Sequence, residues 1–143
     1  MRWIAFYLLA TVAVGAAEGN IVKVLPHYLD EKGRHTDGAS LLHRDVYQRK
    51  LREDPSLIHA LRFDIKWSAA DVTQGKLRVE IRSSKAGVPV KVFEAPVKPA
   101  KRTHWTSVLI NPNEYKKLGK MESWRVTLLD GGTILVVQKS FLW

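Results

Sequence analysis

The chain has 143 residues, 45% hydrophobic and 26% charged, with 23 Lys+Arg against 14 Asp+Glu and a formal net charge of +9. It contains no cysteine, which excludes disulfide staples, thiol nucleophiles, thiolate metal sites and dithiol redox chemistry. The fold must stand on packing alone, and the composition is that of an ordinary globular domain.

Residues 1–17 read as an export signal. Arg2 supplies a basic start, the run from Trp3 to Gly15 is almost wholly apolar, and Gly15, Ala16 and Ala17 offer a cleavage point before Glu18. The run is shorter than the roughly 20 residues of a spanning helix, and no later stretch is long and apolar enough to cross a bilayer. The expected mature product is a single domain of residues 18–143, periplasmic or secreted, with no transmembrane anchor after cleavage. That address changes how the positive charge is read. Outside the cytoplasm a basic surface meets lipid head groups, acidic polysaccharides or acidic proteins, not nucleic acid.

The mature part reads mainly as strands. Residues 21–29 are β-rich, and Pro26 places them at a sheet edge. Residues 30–39 are a polar loop with Gly33 and Gly38. Residues 40–54 predict a helix in which Leu42, Val46, Tyr47 and Leu51 form an apolar stripe, Ser40 caps the start and Pro55 ends it. Asp45 and Arg49 stand at the spacing of a favourable ion pair.

Beyond the helix, Leu61, Phe63, Ile65 and Trp67 alternate with Arg62, Asp64, Lys66 and Ser68, the period of a half-buried strand. Leu77, Val79 and Ile81 alternate likewise with Arg78, Glu80 and Arg82. Residues 88–93 and 105–110 are weaker strand candidates. Asn111 caps a short helical segment over 112–118. Trp124, Val126 and Leu128 open a further strand, and Asp130-Gly131-Gly132 turns it into the β-rich run 134–141.

Seven short strands joined by turns predict a mainly β, two-sheet antiparallel sandwich with one inserted helix near 41–54. From residue 21 to 143 the pattern, with inward aromatics such as Trp67 and Trp124, resembles immunoglobulin-like and fibronectin-type sandwiches, without the cysteine pair of antibody domains. The stretches RDVYQRKLR (44–52), LRFDIKW (61–67) and KSFLW (139–143) also resemble small exported bacterial proteins with no assigned function. Neither resemblance carries a catalytic residue, since a sandwich hosts many functions.

His27, His35, His43, His59 and His104 show no metal-ligand spacing, although His27 and His35 flank a loop and can approach each other. No nucleophile elbow surrounds Ser83 or Ser84. A non-catalytic binding or accessory module is therefore expected, without cofactor or metal, meeting an acidic protein or envelope component through Arg44, Arg49 and Arg52 of the helix and through Arg78 and Arg82 on a strand face. A first alternative is glycan binding on exposed Trp105 or Trp143. A second is a metal-dependent hydrolase using the histidines. The ending Phe141-Leu142-Trp143 is expected to be a packed final strand, or otherwise a partner-binding tail.

Overall fold

The computed structural model describes residues 17–143. Of the expected export signal, only Ala17 falls among them. It packs against the core.

Seven strands form two antiparallel sheets. They are β1 (Asn20–Leu29), β2 (Ala60–Ala69), β3 (Gly75–Ser83), β4 (Lys91–Pro96), β5 (Ala100–Ile110), β6 (Met121–Asp130) and β7 (Thr133–Lys139). One sheet has the order β1-β2-β5 and the other β4-β3-β6-β7. The architecture is the expected two-sheet sandwich. Its fourth strand pairs with β3, whereas in constant-type immunoglobulin domains that strand joins the opposite sheet.

The alternation read in the sequence builds the interior. Leu61, Phe63, Ile65 and Trp67 of β2 face Leu77, Val79 and Ile81 of β3 and Val126 and Leu128 of β6 across one continuous core, and all are fully buried. Each such aliphatic or aromatic side chain contributes about 1.5–3 kcal/mol when it leaves water. Trp67 satisfies its indole N–H by donating to Thr106 Oγ1 at 2.8 Å. Trp124, read as inward by parity, is half-buried and meets Phe63 edge-on with ring centroids 5.8 Å apart. Pro26 lies on an edge strand, as its missing N–H demands.

Helix α1 (Leu41–Glu53) enters between β1 and β2, and a single 3-10 turn (Pro55–Leu57) follows it. Ser40 Oγ accepts from His43 N at 3.1 Å, and the His43 ring reaches back to Ser40 in a capping box. Gly38 leaves room for this, because a Cβ there would stand 2.4 Å from His43 Cγ. Helix α2 (Pro112–Leu118) connects β5 to β6, with Asn111 Oδ1 accepting from Glu114 N at 2.9 Å.

The stripe predicted for α1 is corrected. Leu42 and Val46 are exposed, and the buried side chains are Tyr47, Gln48 and Leu51. A polar residue displaces the apolar pair because α1 packs on the open edge of β1, where backbone groups need partners. Gln48 Oε1 accepts from Tyr28 N at 2.9 Å, and Gln48 Nε2 donates to Tyr28 O at 2.9 Å and to His35 O at 2.8 Å. The Asp45 carboxylate pairs with its neighbour Arg44 at 3.0 Å instead of with Arg49.

The chain ending is corrected too. β7 stops at Lys139, and Phe141 and Leu142 stand exposed in a turn. Ser140 closes the strand by taking both backbone groups of Trp124. Trp143 then folds back between two guanidiniums, Arg82 at 4.0 Å and Arg125 at 4.8 Å from its ring centroid.

Candidate functional site

The antiparallel registers place the ends of β1 and β5 beside the start of β2, and the end of β3 beside the start of β6. The two longest connections, 30–59 and 111–120, therefore meet at one end of the sandwich. Both helices, and most of the chain's chemically distinctive side chains outside the sheets, gather there.

Three clefts open at this end; one of about 270 Å3 lies around Asp30, Glu31, Lys50 and His59, and the other two share Arg52. The larger of these two, of about 400 Å3, lies between Tyr28 of β1, Arg52 of α1, Pro55 and Ile58 of the following turn, Tyr115 and Lys116 of α2, and Gly119-Lys120 before β6. Gly119 ends α2 with φ 71° and ψ −146°, a backbone state essentially confined to glycine, and this turn aims Lys120 at the cleft. The smaller cleft, of about 240 Å3, runs along the edge of β1 between Leu25, Pro26 and His27 on one side and Arg44, Gln48, Arg49 and Arg52 on the other. Arg52 lines both, so these two clefts form one face.

That face is basic. Arg44 is neutralised in part by Asp45. Arg49, Arg52, Lys116 and Lys120 make no ion pair among the described residues. Tyr28 and Tyr115 stand inside the larger cleft with proton affinities raised by burial, an effect that the charge of Arg52 partly offsets at Tyr28. Both phenols are hydrogen-bond donors at neutral pH.

Beside the smaller cleft lies a polar network on the outer face of β1-β2-β5. Asp64 accepts from His27 Nδ1 at 2.6 Å, from Ser107 Oγ at 2.6 Å and from the Arg62 guanidinium at 3.0 Å. Burial raises the Asp64 carboxyl, but these donors outweigh it and hold its pKa at about 2. Arg62 also donates to His35 Nδ1 at 3.2 Å, which fixes that nitrogen as an acceptor. The rings of His27 and His35 stand 4.7 Å apart, as their flanking positions allowed. Burial, then the charges of His27 and Arg62, lower the pKa of His35. Ser107 donates to a carboxylate here whose pKa of about 2 makes it a weak base. Among the described residues no three His, Asp or Glu side chains converge so as to hold a metal ion.

A second carboxylate organises the loop after β1. Asp30 receives the backbone N–H groups of Lys32 and Arg34, the Arg34 Nε at 2.9 Å and the Tyr47 hydroxyl. Burial acts upward on its pKa, yet these donors bring it to about 2. Helix α1 of the insertion 30–59 is thus tied to β1 and the loop after it through the adjacent Tyr47 and Gln48.

The expected site residues are divided by the fold. Arg44, Arg49 and Arg52 share the smaller cleft. Arg78 and Arg82 lie on β3 of the other sheet and share no cleft with them. Arg78 pairs with Glu94 at 3.1 Å, and Arg82 covers Trp143. Trp105 keeps a half-exposed ring with Lys66 Nζ 6.0 Å from its centroid, while Trp143 gives its ring to Arg82 and Arg125. Tyr28, Tyr115, Lys116 and Lys120 were not anticipated. Their positions at the ends of elements were the available signal, since connections at one end of a sandwich assemble its sites.

No family model matches this chain, and neither the curated proteins nor the solved structures contain a significant match to it. Among the described residues no helix is long and apolar enough to cross a membrane.

Proposed function

We propose that this protein is an exported, non-catalytic binding module that recognises an acidic protein or envelope component through the face made by α1, the β1 edge and α2. Export rests on the basic start, apolar run and small-residue end of residues 1–17. One observation carries the binding reading: Arg49, Arg52, Lys116 and Lys120 come from two separate connections onto one face, and none is neutralised by an acid among the described residues. Other cations without an ion pair among the described residues, such as Lys23, Lys91, Lys101 and Arg102, lie outside the two clefts that share Arg52, so it is the shared concave face that sets the four apart. Some basic residues elsewhere are paired. Arg34 pairs with Asp30, Arg62 with Asp64, Lys76 and Arg78 with Glu94, and Arg125 with Glu80.

Unpaired cations on a shared concave face attract an anionic partner at long range, and the attraction weakens as salt shortens the Debye length to about 8 Å near physiological ionic strength. The test is titration with a polyglutamate peptide at low and physiological salt. Binding that weakens with salt, and is lost in an Arg49→Glu/Arg52→Glu variant, supports the reading. Equal binding by that variant overturns it.

A further inference from the structure

The larger cleft differs from the rest of the basic face. Its walls are apolar and aromatic, formed by the rings of Tyr28 and Tyr115 with Pro55 and Ile58, and its cations stand at three points around them. No aspartate or glutamate lines it. Its volume of about 400 Å3 falls within the roughly 300–1,000 Å3 of small-ligand sites.

We infer that this cleft binds an apolar chain or ring carrying one carboxylate, with the apolar body between Tyr28, Tyr115, Pro55 and Ile58 and the carboxylate among Arg52, Lys116 and Lys120. The inference deepens the preceding reading and shares Arg52 with it.

Three features of the cleft select that chemistry. A purely apolar ligand leaves three cations without partners, and a small hydrophilic anion leaves the apolar wall wet. A molecule with both parts satisfies both. The hydroxyls add to the fit. The Tyr47 hydroxyl is held by Asp30, whereas those of Tyr28 and Tyr115 make no hydrogen bond among the described residues. A carboxylate accepts about four hydrogen bonds, and phenol donors beside ammonium and guanidinium groups supply them. Finally, the wall is pre-formed. Gly119 fixes the turn behind Lys120, Asn111 caps α2, and Leu118 at the helix end is fully buried in the core.

A free amphipathic acid and the apolar C-terminus of a peptide both present this chemistry. The experiment titrates the full chain calorimetrically with decanoate, decanol, acetate, acetyl-Leu-Phe and its amide. The expected result is binding of decanoate with at least tenfold weaker binding of decanol and acetate. Preference for acetyl-Leu-Phe over its amide, by a similar factor and with tighter binding than decanoate, assigns the ligand to a peptide terminus. The reverse order assigns it to a free acid. Lys116→Gln/Lys120→Gln, two exposed positions whose loss leaves the fold intact, weakens decanoate about tenfold. Ile58→Ser weakens decanoate but leaves polyglutamate binding unchanged. Decanoate and decanol binding alike, or no binding of any carboxylate, overturns the inference. If polyglutamate still binds in that case, the broader reading stands without it. If decanoate binds and polyglutamate does not, the broader reading fails and this one survives.

Discussion

The side-chain amide of Gln48 forms hydrogen bonds with both backbone groups of Tyr28, N–H and C=O, each at 2.9 Å. It stands where the peptide of a neighbouring strand would stand, so a helix residue completes the ladder of an edge strand. Gln48 is itself buried and also donates to His35 O.

Gln48→Leu keeps the volume and removes all three bonds. Backbone groups left unpaired in a buried setting cost about 1–3 kcal/mol each, with partial relief where water can enter. The variant is expected to lose about 2–3 kcal/mol in urea unfolding. A loss below about 0.5 kcal/mol would mean that water replaces the amide at no cost.

Acid should unfold the protein in two stages. The pKa of His35 is lowered below its ordinary 6.5, so protonation is harder in the folded state and stability begins to fall as the pH drops below that value. Asp64 and Asp30 are held at about 2 against an ordinary 3.8. Their contribution is complete above the ordinary value and is lost as the pH falls from about 4 toward 2. For Asp64, allowing for screening by solvent, that contribution is about 1–2 kcal/mol. Unfolding free energies between pH 7 and pH 2 test this, and Asp64→Asn should flatten the lower stage. An unchanged slope in that variant refutes the assignment.

Gly119→Ala should cost about 1–3 kcal/mol, since the φ of 71° is strained for any residue with a Cβ. The new methyl meets nothing closer than 3.9 Å, so the loss is backbone strain and not a clash. Chemical denaturation reads it. A neutral substitution would show that the turn relaxes, and the geometry around Lys120 would have to be reconsidered.

Charge reversal should discriminate between the two sheets. Arg52→Glu is expected to reduce polyglutamate affinity more than tenfold, because it places an acid between both clefts. Arg78→Glu should change it less than twofold, because Arg78 is already occupied by Glu94 and lies on the other sheet. Comparable losses in the two variants would indicate attraction by net charge alone.

The sheets were legible in the sequence because period-two alternation is a direct image of a half-buried surface. Leu61, Phe63, Ile65 and Trp67 are buried as their parity requires. The Asp130-Gly131-Gly132 turn was legible for the same local reason, and Gly131 takes φ 58°. What escaped was long-range. A glutamine in the buried face of α1 looks like a flaw in an amphipathic pattern until an edge strand is known to lie beneath it. Tyr28 and Tyr115 are 87 positions apart in the chain, and only the antiparallel registers bring them to one cleft. The helix arginines were found because one short helix carries all three. Lys116 and Lys120 were missed because no local pattern ties them to that helix. Trp143 was misread because a terminal aromatic can dock on guanidiniums as well as in a core.

Among the residues around the larger cleft, Tyr28 alone belongs to a strand. The others sit on connections that the buried alternation of β2, β3 and β6 does not depend on. On the same two connections, however, the residues of the proposed binding face are interleaved with side chains such as Gln48, Leu51 and Leu118 that hold the frame. Substitution of the cleft-lining positions of 30–59 and 111–120 would alter what is bound, provided that Gln48, Leu51 and Leu118, which the same segments lend to the frame, are kept. A library confined to the lining positions would sample new ligands on one scaffold.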